Sequence, residues 1–175
     1  MVKIIESVPN ISEGRNMKVV EACVDAVRNT KGCTLMDYSS DASHNRTVIT
    51  YMGSPEAVEE ASVALAKIAA ELIDLTKHDG EHPRMGAVDV MPFIPIKGAT
   101  TEDCVELSKK VGERITKEAD IPVFLYESSA SAPHRQNLAA IRKGQFEGMA
   151  EKVMQEEWEP DFGGRRIHPT AGVVA

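Results

Sequence analysis

The sequence predicts an α+β fold in which helices pack on a β-sheet, and three observations lead to this prediction. Short segments rich in β-branched and apolar residues alternate with longer segments whose apolar residues recur at helical spacing. Over residues 3–96 these segments follow the order strand, helix, strand, strand, helix, strand. A chain of 175 residues, 42% of them hydrophobic and 27% charged, is long enough to form one domain with its own core.

The first half of the chain contains three predicted strands and one helix. Residues 3–8 form the first strand, and a proline directly after it ends the strand. Asn16 is a suitable N-cap for a helix that runs through Thr30. Residues 33–37 and 46–52 are two strands in succession, and this succession favours an antiparallel pair.

The longest helix and the fourth strand follow. Ser54, with a proline directly after it, predicts the start of a helix that continues to about Lys77. Residues 87–96 form a strand that is apolar at nearly every position, as is typical of strands buried on both faces. Pro92 and Pro95 each remove a backbone donor, so this strand must bulge, end early or lie at an edge.

The order of these elements is that of a ferredoxin-like βαββαβ fold, for which we expect a mixed sheet with helices packed on it. Further helix and strand elements extend this arrangement towards the C-terminus. They are a helix over residues 100–119 that opens with a capping box, a strand over residues 121–126, and helices over residues 134–142 and 146–158. Residues 160–172 are predicted to be loop, and residues 173–175 resemble the beginning of another strand.

Composition and charge exclude several classes of function. The net charge of −7 argues against a general nucleic-acid binder, which needs a surplus of lysine and arginine. No apolar run approaches the roughly 20 residues that span a membrane, and the N-terminus lacks the apolar core of a signal peptide. Cys23, Cys33 and Cys104 are not clustered, so each is expected to be a buried, reduced thiol. We therefore expect a cytoplasmic protein with no membrane and no nucleic-acid partner.

The loop over residues 78–87 is the densest cluster of chemically active side chains in the sequence. His78 and His82 stand four residues apart, a spacing that places two zinc ligands on one face of a helix. Gly80 and Pro83 make a regular helix there improbable, so we expect no metal. Two other interpretations remain open: His82 has a structural hydrogen bond, or it is an acid/base catalyst, because imidazole titrates near neutral pH.

Polar loops at the ends of other strands supply candidates that orient a substrate near this loop. They are Asn10, Glu13, Asn45 and Arg46, together with Arg84 beside His82. A role in turns and solvated surface is the alternative for these residue types. Residues 133–143 carry Arg135, Arg142 and Lys143 with no acidic residue, and Arg165 and Arg166 follow later. In an acidic protein this local surplus of positive charge suits a small polyanion.

Four stretches resemble the N-terminal subdomain of glutamate formiminotransferase, a folate enzyme of histidine breakdown. They are residues 6–16, residues 44–48, residues 80–87 (Gly-Glu-His-Pro-Arg-Met-Gly-Ala) and residues 158–163 (Trp-Glu-Pro-Asp-Phe-Gly). The likeness runs from about residue 3 to residue 172. It implies that residues 1–175 are this subdomain and that the second subdomain of the family is absent.

The resemblance also implies a reaction and a site. The formimino group of N-formimino-L-glutamate would pass to N5 of tetrahydrofolate, the co-substrate, with His82 as the general base. The stretch that contacts folate in the family falls on Gly163, Gly164, Arg165, Arg166, Ile167, His168, Pro169, Thr170, Ala171 and Gly172. The partner would be the missing subdomain or a second copy of the chain. The alternative function is a non-catalytic folate-binding or assembly module.

One position departs from the family pattern. Vertebrate members carry a second aspartate where Ser39 stands in this sequence. An acidic role at that place therefore passes to Asp41 or is lost.

Overall fold

A six-stranded sheet with three long helices packed on one of its faces forms the body of the protein. The computed structural model describes residues 2–175. The strands are β1 (Ile4–Ser7), β2 (Asn10–Ile11), β3 (Cys33–Asp41), β4 (Arg46–Gly53), β5 (Val88–Val90) and β6 (Phe93–Lys97). The helices are α1 (Met17–Arg28), α2 (Pro55–Leu72), α3 (Thr101–Ala119), α4 (Leu138–Arg142) and α5 (Gln145–Lys152). The prediction of an α+β fold is confirmed.

Every strand pair in this sheet is antiparallel, so the expected mixed sheet was wrong. β3 lies at one edge beside β4, and β1 and β2 pair with successive parts of β4. β6 and β5 pair in turn with β1 and β2. After each of the first two helices the chain enters the sheet again at an edge. β3 follows α1 and pairs antiparallel with β4, and β5 follows α2 and pairs antiparallel with β2.

Prolines lie at two of the breaks between strands. The predicted first strand ends at Ser7, and Asn10 and Ile11 form a separate short strand after Pro9. The predicted fourth strand is divided into β5 and β6 on either side of Pro92. The missing N–H group of each proline explains why the ladder stops there.

The three long helices begin with the caps that the sequence predicts. The Asn16 side chain accepts a hydrogen bond from the Lys18 N–H at 3.1 Å, and Ser54 Oγ accepts one from Ala57 at 3.2 Å. Thr100 forms the reciprocal capping box at the start of α3. α2 ends at Leu72, five residues before the predicted end, because Ile73 is extended and a separate 3-10 turn follows.

The C-terminal third is less regular than predicted. Val123 is the only residue of the predicted strand over 121–126 that pairs within the described chain, and it forms isolated bridges to Phe162 and Val174. The two later helices are shorter than predicted: α4 begins at Leu138 and α5 ends at Lys152. Short 3-10 turns occupy the remaining lengths of both segments.

Two apolar clusters stabilise the structure. The larger lies between the sheet and α1 to α3, and it includes Val24, Tyr51, Leu65 and Ile115. The smaller lies under the C-terminal third and consists of Met85, Phe124, Ile141, Met149, Val153, Val173 and Ala175. Because Met85 belongs to the loop over residues 78–87, which carries His82, the second cluster anchors that loop.

All three cysteines are free thiols, but they are not all buried as expected. Cys23 and Cys104 are buried free thiols, and Cys33 is a half-buried one at the start of β3. Within residues 2–175, no helix combines the length and the apolar character needed to cross a lipid bilayer.

Candidate functional site

The loop over residues 78–87 connects a 3-10 turn to β5, and its second half is held firmly. Ser12 Oγ donates a hydrogen bond of 2.7 Å to the Gly86 carbonyl, and the Ser12 N–H donates one of 2.8 Å to the Ala87 carbonyl. The Met85 N–H donates to Asp89 Oδ1 at 2.6 Å. His82 therefore lies on a loop with a fixed exit.

Asn45 ties three loops together at the other end of this segment. Its Oδ1 accepts a hydrogen bond from the Gly14 N–H at 2.9 Å, and its Nδ2 donates to the Asp79 carbonyl at 2.9 Å. Its own carbonyl lies 3.1 Å from His78 Nε2. The residue is buried and has a φ of 54°, a conformation that asparagine tolerates better than most residues. We infer that Asn45 positions the loop.

Arg84 is buried, and the chain itself satisfies its guanidinium. Nε donates to His78 Nδ1 at 2.9 Å, and the two terminal nitrogens donate to the Glu147 carboxylate at 2.6 and 2.8 Å. Further bonds reach the Gln145 side chain at 3.3 Å and the His78 carbonyl at 3.2 Å. These five bonds use all five N–H groups of the side chain. Arg84 thus locks the loop to α5.

His82 is half-buried in surroundings with an excess of positive charge. Burial lowers its pKa to about 4, and the charges of Arg46, Arg142 and His44 act in the same direction. The His44 ring lies edge-on to the His82 ring, with 6.4 Å between the centroids. Asp41 Oδ2 is 2.9 Å from His44 Nδ1. Asp41, the acidic residue closest to Ser39 on its C-terminal side, therefore contacts His44 and through it adjoins His82. His82 is therefore a neutral imidazole at pH 7.

A buried ion pair lies behind the loop, and the sequence analysis missed it. Asp89 in β5 is 1% exposed, and Arg142 Nη2 is 2.7 Å from its Oδ2. Burial raises the pKa of the Asp89 carboxyl, while Arg142 acts against that shift. A lone aspartate within an otherwise apolar strand was the signal available in the sequence, because a buried carboxylate requires a partner.

The structure brings some of the predicted substrate-orienting residues together. Asn45 and Arg84 adjoin His78 in the same cluster, and Arg46, at the start of β4, lies close enough to act on His82. Glu13 instead caps the loop before α1, where its carboxylate accepts the Arg15 and Asn16 N–H groups at 3.0 Å each.

Asn10 is half-buried within the sheet. It pairs with Val48 on β4 and Val90 on β5, which places it among the strands and not in a loop.

The two arginines of residues 163–172 are bound locally. Arg166 donates to the Asp120 carboxylate at 2.7 Å, and Arg165 lies 3.6 Å from Glu159. Gly163 and Gly164 have φ values of 99° and 77°, which form a turn that other residues strongly disfavour.

The end of the same stretch reaches the exit of the His82 loop. The Ala87 N–H donates to the Ala171 carbonyl at 2.9 Å, and Gly86 and Gly172 form a bridge. The structure thus joins the C-terminal end of the predicted folate-contacting stretch to the loop that carries His82.

An apolar cavity of about 290 Å³ lies elsewhere, between β6, α3 and the segment around residues 123–129. Phe93, Cys104 and Tyr126 are among its lining residues. Because its walls are mainly apolar and His82 does not line it, we place the chemistry at the charged loop and not in this cavity.

Comparisons with known proteins identify the family to which the chain is similar. The chain matches the formiminotransferase domain, N-terminal subdomain, over residues 4–175. Glutamate formimidoyltransferase of Streptococcus pyogenes serotype M1 is 59% identical over 175 residues, which are 100% of this chain and 58% of that protein. Formimidoyltransferase-cyclodeaminase of Mus musculus is 48% identical over 174 residues, 99% of this chain and 32% of that protein.

An archaeal relative shows similar coverage. Glutamate formimidoyltransferase of Thermoplasma acidophilum is 43% identical over 162 residues, 91% of this chain and 54% of that protein. The chain therefore spans between about a third and three fifths of the length of these three relatives. Because the family match covers residues 4–175, the chain belongs to the formiminotransferase family, in which it corresponds to the N-terminal subdomain.

Proposed function

We propose that this chain is the part of a glutamate formimidoyltransferase that carries the catalytic base. The proposed reaction moves the formimino group of N-formimino-L-glutamate to N5 of tetrahydrofolate in histidine degradation. The observation that carries the proposal is the fixed loop that presents His82, neutral and half-buried, in an electropositive site. We propose a cytoplasmic location, in agreement with three free cysteines.

The proposed mechanism assigns a proton to each step. N5 of the reduced folate attacks the carbon of the protonated formimino group, and the electrons of the carbon–nitrogen double bond move to the terminal nitrogen, which becomes a neutral NH2 group. The N5–H group becomes strongly acidic as the new bond forms, so the neutral His82 imidazole accepts its proton. The imidazolium then donates that proton to the glutamate nitrogen. The bond between this nitrogen and the formimino carbon breaks, glutamate leaves as the amine, and the lone pair of the NH2 group re-forms the carbon–nitrogen double bond on the group now attached to N5.

The residues around His82 have positioning roles in this proposal. Asn45 and Arg84 hold the loop, because their polar groups are occupied by the chain. Arg46 faces the substrate, and we assign Asn10 and Glu13 to the outer part of the same site. Residues 163–172 would contact folate through backbone near Ala171 and Gly172, where the stretch adjoins the His82 loop.

We also propose that the sheet has the ferredoxin-like arrangement and that a partner covers its open face. The strand order, with β4 between β1 and β3 and with β6 on the other side of β1, supports this arrangement. Met52 and Ile94 lie opposite Glu6 on the face away from the helices. Ile94 remains 39% exposed. A second subdomain or a second copy of the chain is the proposed partner.

The test of catalysis is turnover by the wild-type chain and by His82→Ala and His82→Gln. Release of glutamate from N-formimino-L-glutamate is measured with and without tetrahydrofolate. Removal of a general base lowers kcat by about 10²- to 10⁴-fold. As a control, both variants must retain the wild-type free energy of unfolding at pH 7 within about 1 kcal/mol, so that a lower kcat does not result from unfolding. Unchanged turnover in both variants contradicts it.

The second candidate is a non-catalytic folate-binding or assembly module. The observation in its favour is that residues 163–172 adjoin the loop through backbone contacts at Ala171 and Gly172, which do not involve the His82 side chain. Isothermal titration with 5-formyl-tetrahydrofolate separates the two candidates when the same preparation is assayed for turnover. Binding that is equal in the wild-type chain and in His82→Ala, without turnover by either, favours the module.

A further inference from the structure

The guanidinium of Arg142, at the end of α4, faces the buried Asp89 carboxylate. Its Nη2 is 2.7 Å from Asp89 Oδ2, and its charge acts on His82. The Arg142 side chain retains 18% of its accessible surface. The residue therefore connects a buried anion to the candidate active site.

This ion pair leaves two buried polar atoms without hydrogen bonds. Within residues 2–175, Arg142 Nε and Asp89 Oδ2 are the buried side-chain nitrogen and oxygen atoms with no hydrogen-bond partner. Nη2 and Oδ2 form a close ion pair at 2.7 Å, but Nε of Arg142 has no partner within the chain. Because buried polar groups in native structures are nearly always hydrogen-bonded, this N–H requires a partner that is not part of the chain, either a water molecule or a ligand.

The surroundings determine the charge of that ligand. Arg46 is half-buried near His82, and among the described residues it makes no ion pair. Asp89 is paired with Arg142, and Asp41 is paired with His44, whose ring centroid lies 6.4 Å from that of His82. Glu81, directly before His82, is exposed and makes no ion pair with either arginine among the described residues. The positive charges of Arg46 and Arg142 both act on His82, and such an arrangement attracts an anion.

We propose that Arg142, with Asp89 as its positioning residue and Arg46 beside it, binds a carboxylate of the substrate next to His82. The identity of the substrate rests on the proposed function. Both substrates carry carboxylates, because N-formimino-L-glutamate has two and reduced folate ends in a glutamate tail. Only the donor has a carboxylate close to its reacting atom: its α-carboxylate is attached to the carbon that bears the formimino nitrogen, whereas the aminobenzoyl group of folate separates the tail from N5. A donor carboxylate in this place therefore brings the formimino carbon within reach of the imidazole.

A purely structural role for Arg142 makes a different prediction. If Arg142 only neutralises Asp89, then Asp89→Asn removes the need for it. Asparagine keeps an oxygen at the position of Oδ1, which accepts the Met85 N–H. The double variant Asp89→Asn/Arg142→Gln therefore removes both charges of the pair. Arg142→Gln alone leaves the buried Asp89 carboxylate without a cation and can misfold, so the double variant is the safer test.

The experiment is a titration of the chain with glutarate, followed by the proton NMR signal of the His82 ring. Glutarate is a dicarboxylate that carries no formimino group, so binding does not depend on turnover. We expect saturable binding to the wild-type chain with a rise in the His82 pKa. Binding should weaken about tenfold or more in Arg142→Gln and in the double variant. The control, Arg28→Gln at the end of α1, removes an exposed arginine and should bind as the wild type does.

The two sources of carboxylate are separated by the Michaelis constants of each substrate. A rise in KM for N-formimino-L-glutamate alone in the double variant assigns the site to the donor. This result supports the proposal. A rise in KM for tetrahydrofolate alone would assign the site to the folate tail, which lies too far from N5 for both to reach His82, and would contradict the proposal.

Two results of the titration also overturn the proposal. One is the absence of saturable glutarate binding to the wild-type chain, and the other is wild-type binding by the double variant. Failure of the proposed function gives a different pattern, namely glutarate binding that depends on Arg142 in a chain without turnover.

Discussion

Arg84 Nε donates a hydrogen bond of 2.9 Å to His78 Nδ1, and this bond fixes the protonation state of His78. An arginine nitrogen can only donate, so Nδ1 must carry a lone pair and the single ring proton must be on Nε2. That proton faces the Asn45 carbonyl at 3.1 Å. His78 is therefore a neutral element of the loop scaffold, and His82 is the imidazole of this loop that remains free for chemistry.

The first prediction concerns the titration of these two histidines. We expect the His82 ring to titrate near pH 4, because burial and the neighbouring positive charges lower its pKa. The His78 pKa should also lie below the ordinary value, chiefly because the ring is buried. Proton NMR of the ring signals between pH 3 and 8 measures both midpoints, with His82→Gln for assignment. A midpoint of about 6.5 for His82 would show that the ring is open to solvent.

The second prediction is that acid destabilises the chain between about pH 6.5 and pH 4. The unfolded chain binds a proton at His82 near pH 6.5, whereas the folded chain binds it near pH 4. In this interval the unfolded state holds more protons, so the free energy of unfolding falls as the pH falls. His78 and His168 act in the same direction, because their pKa values are also lowered.

Urea denaturation at pH 7.0, 5.5 and 4.5 measures this effect. His82→Gln should lose less stability than the wild type over this range, because the variant lacks one of the three groups. An equal loss in both proteins would mean that the folded His82 has an ordinary pKa.

The sequence predicted those parts of the structure that depend on neighbouring residues. The caps at Asn16, Ser54 and Thr100 were predicted because each needs only the residues of one helical turn. The break of the fourth strand followed from Pro92. The predicted strand over residues 121–126 failed because its partners, Phe162 and Val174, lie far along the chain.

The site was likewise predicted only in part. His82 and its loop were evident from residue types, but the Asp89–Arg142 pair joins residues 53 positions apart in the sequence, and no local pattern predicts such a contact. Arg84 stood beside His82 in the sequence and was therefore taken to face the substrate. Its guanidinium turns instead towards Glu147, 63 residues later, and only the folded structure reveals that contact.

The third prediction tests this contact between the loop and α5. Arg84 is 5% exposed, and Glu147→Gln replaces the carboxylate that receives two of its bonds. The Glu147 side chain is 65% exposed, so solvent weakens the pair, and we expect a loss of about 1 kcal/mol in the free energy of unfolding. Glu151→Gln, an exposed position on the same helix, is the control and should change little.

The fourth prediction concerns the close approach of Gly86 to the C-terminal segment. A Cβ at Gly86 would lie 1.8 Å from the Val173 carbonyl oxygen, so Gly86→Ala must displace that backbone. We expect a loss of about 2 kcal/mol or more in urea denaturation. Gly148→Ala is the matched control, since its Cβ meets nothing within 4 Å and alanine favours a helix by about 0.5–1 kcal/mol.

Gly86 is the better position for this test than Gly172, although the two are bridged. Gly172 has a φ of 66°, so an alanine there would combine backbone strain with its contact to Met85. Gly86 lies outside the left-handed region, and its alanine variant therefore measures the close approach alone. Wild-type stability of Gly86→Ala would mean that residues 171–175 do not pack against the loop exit. Residues 163–172 would then lose their connection to His82, and the proposed folate contact would have to be sought elsewhere.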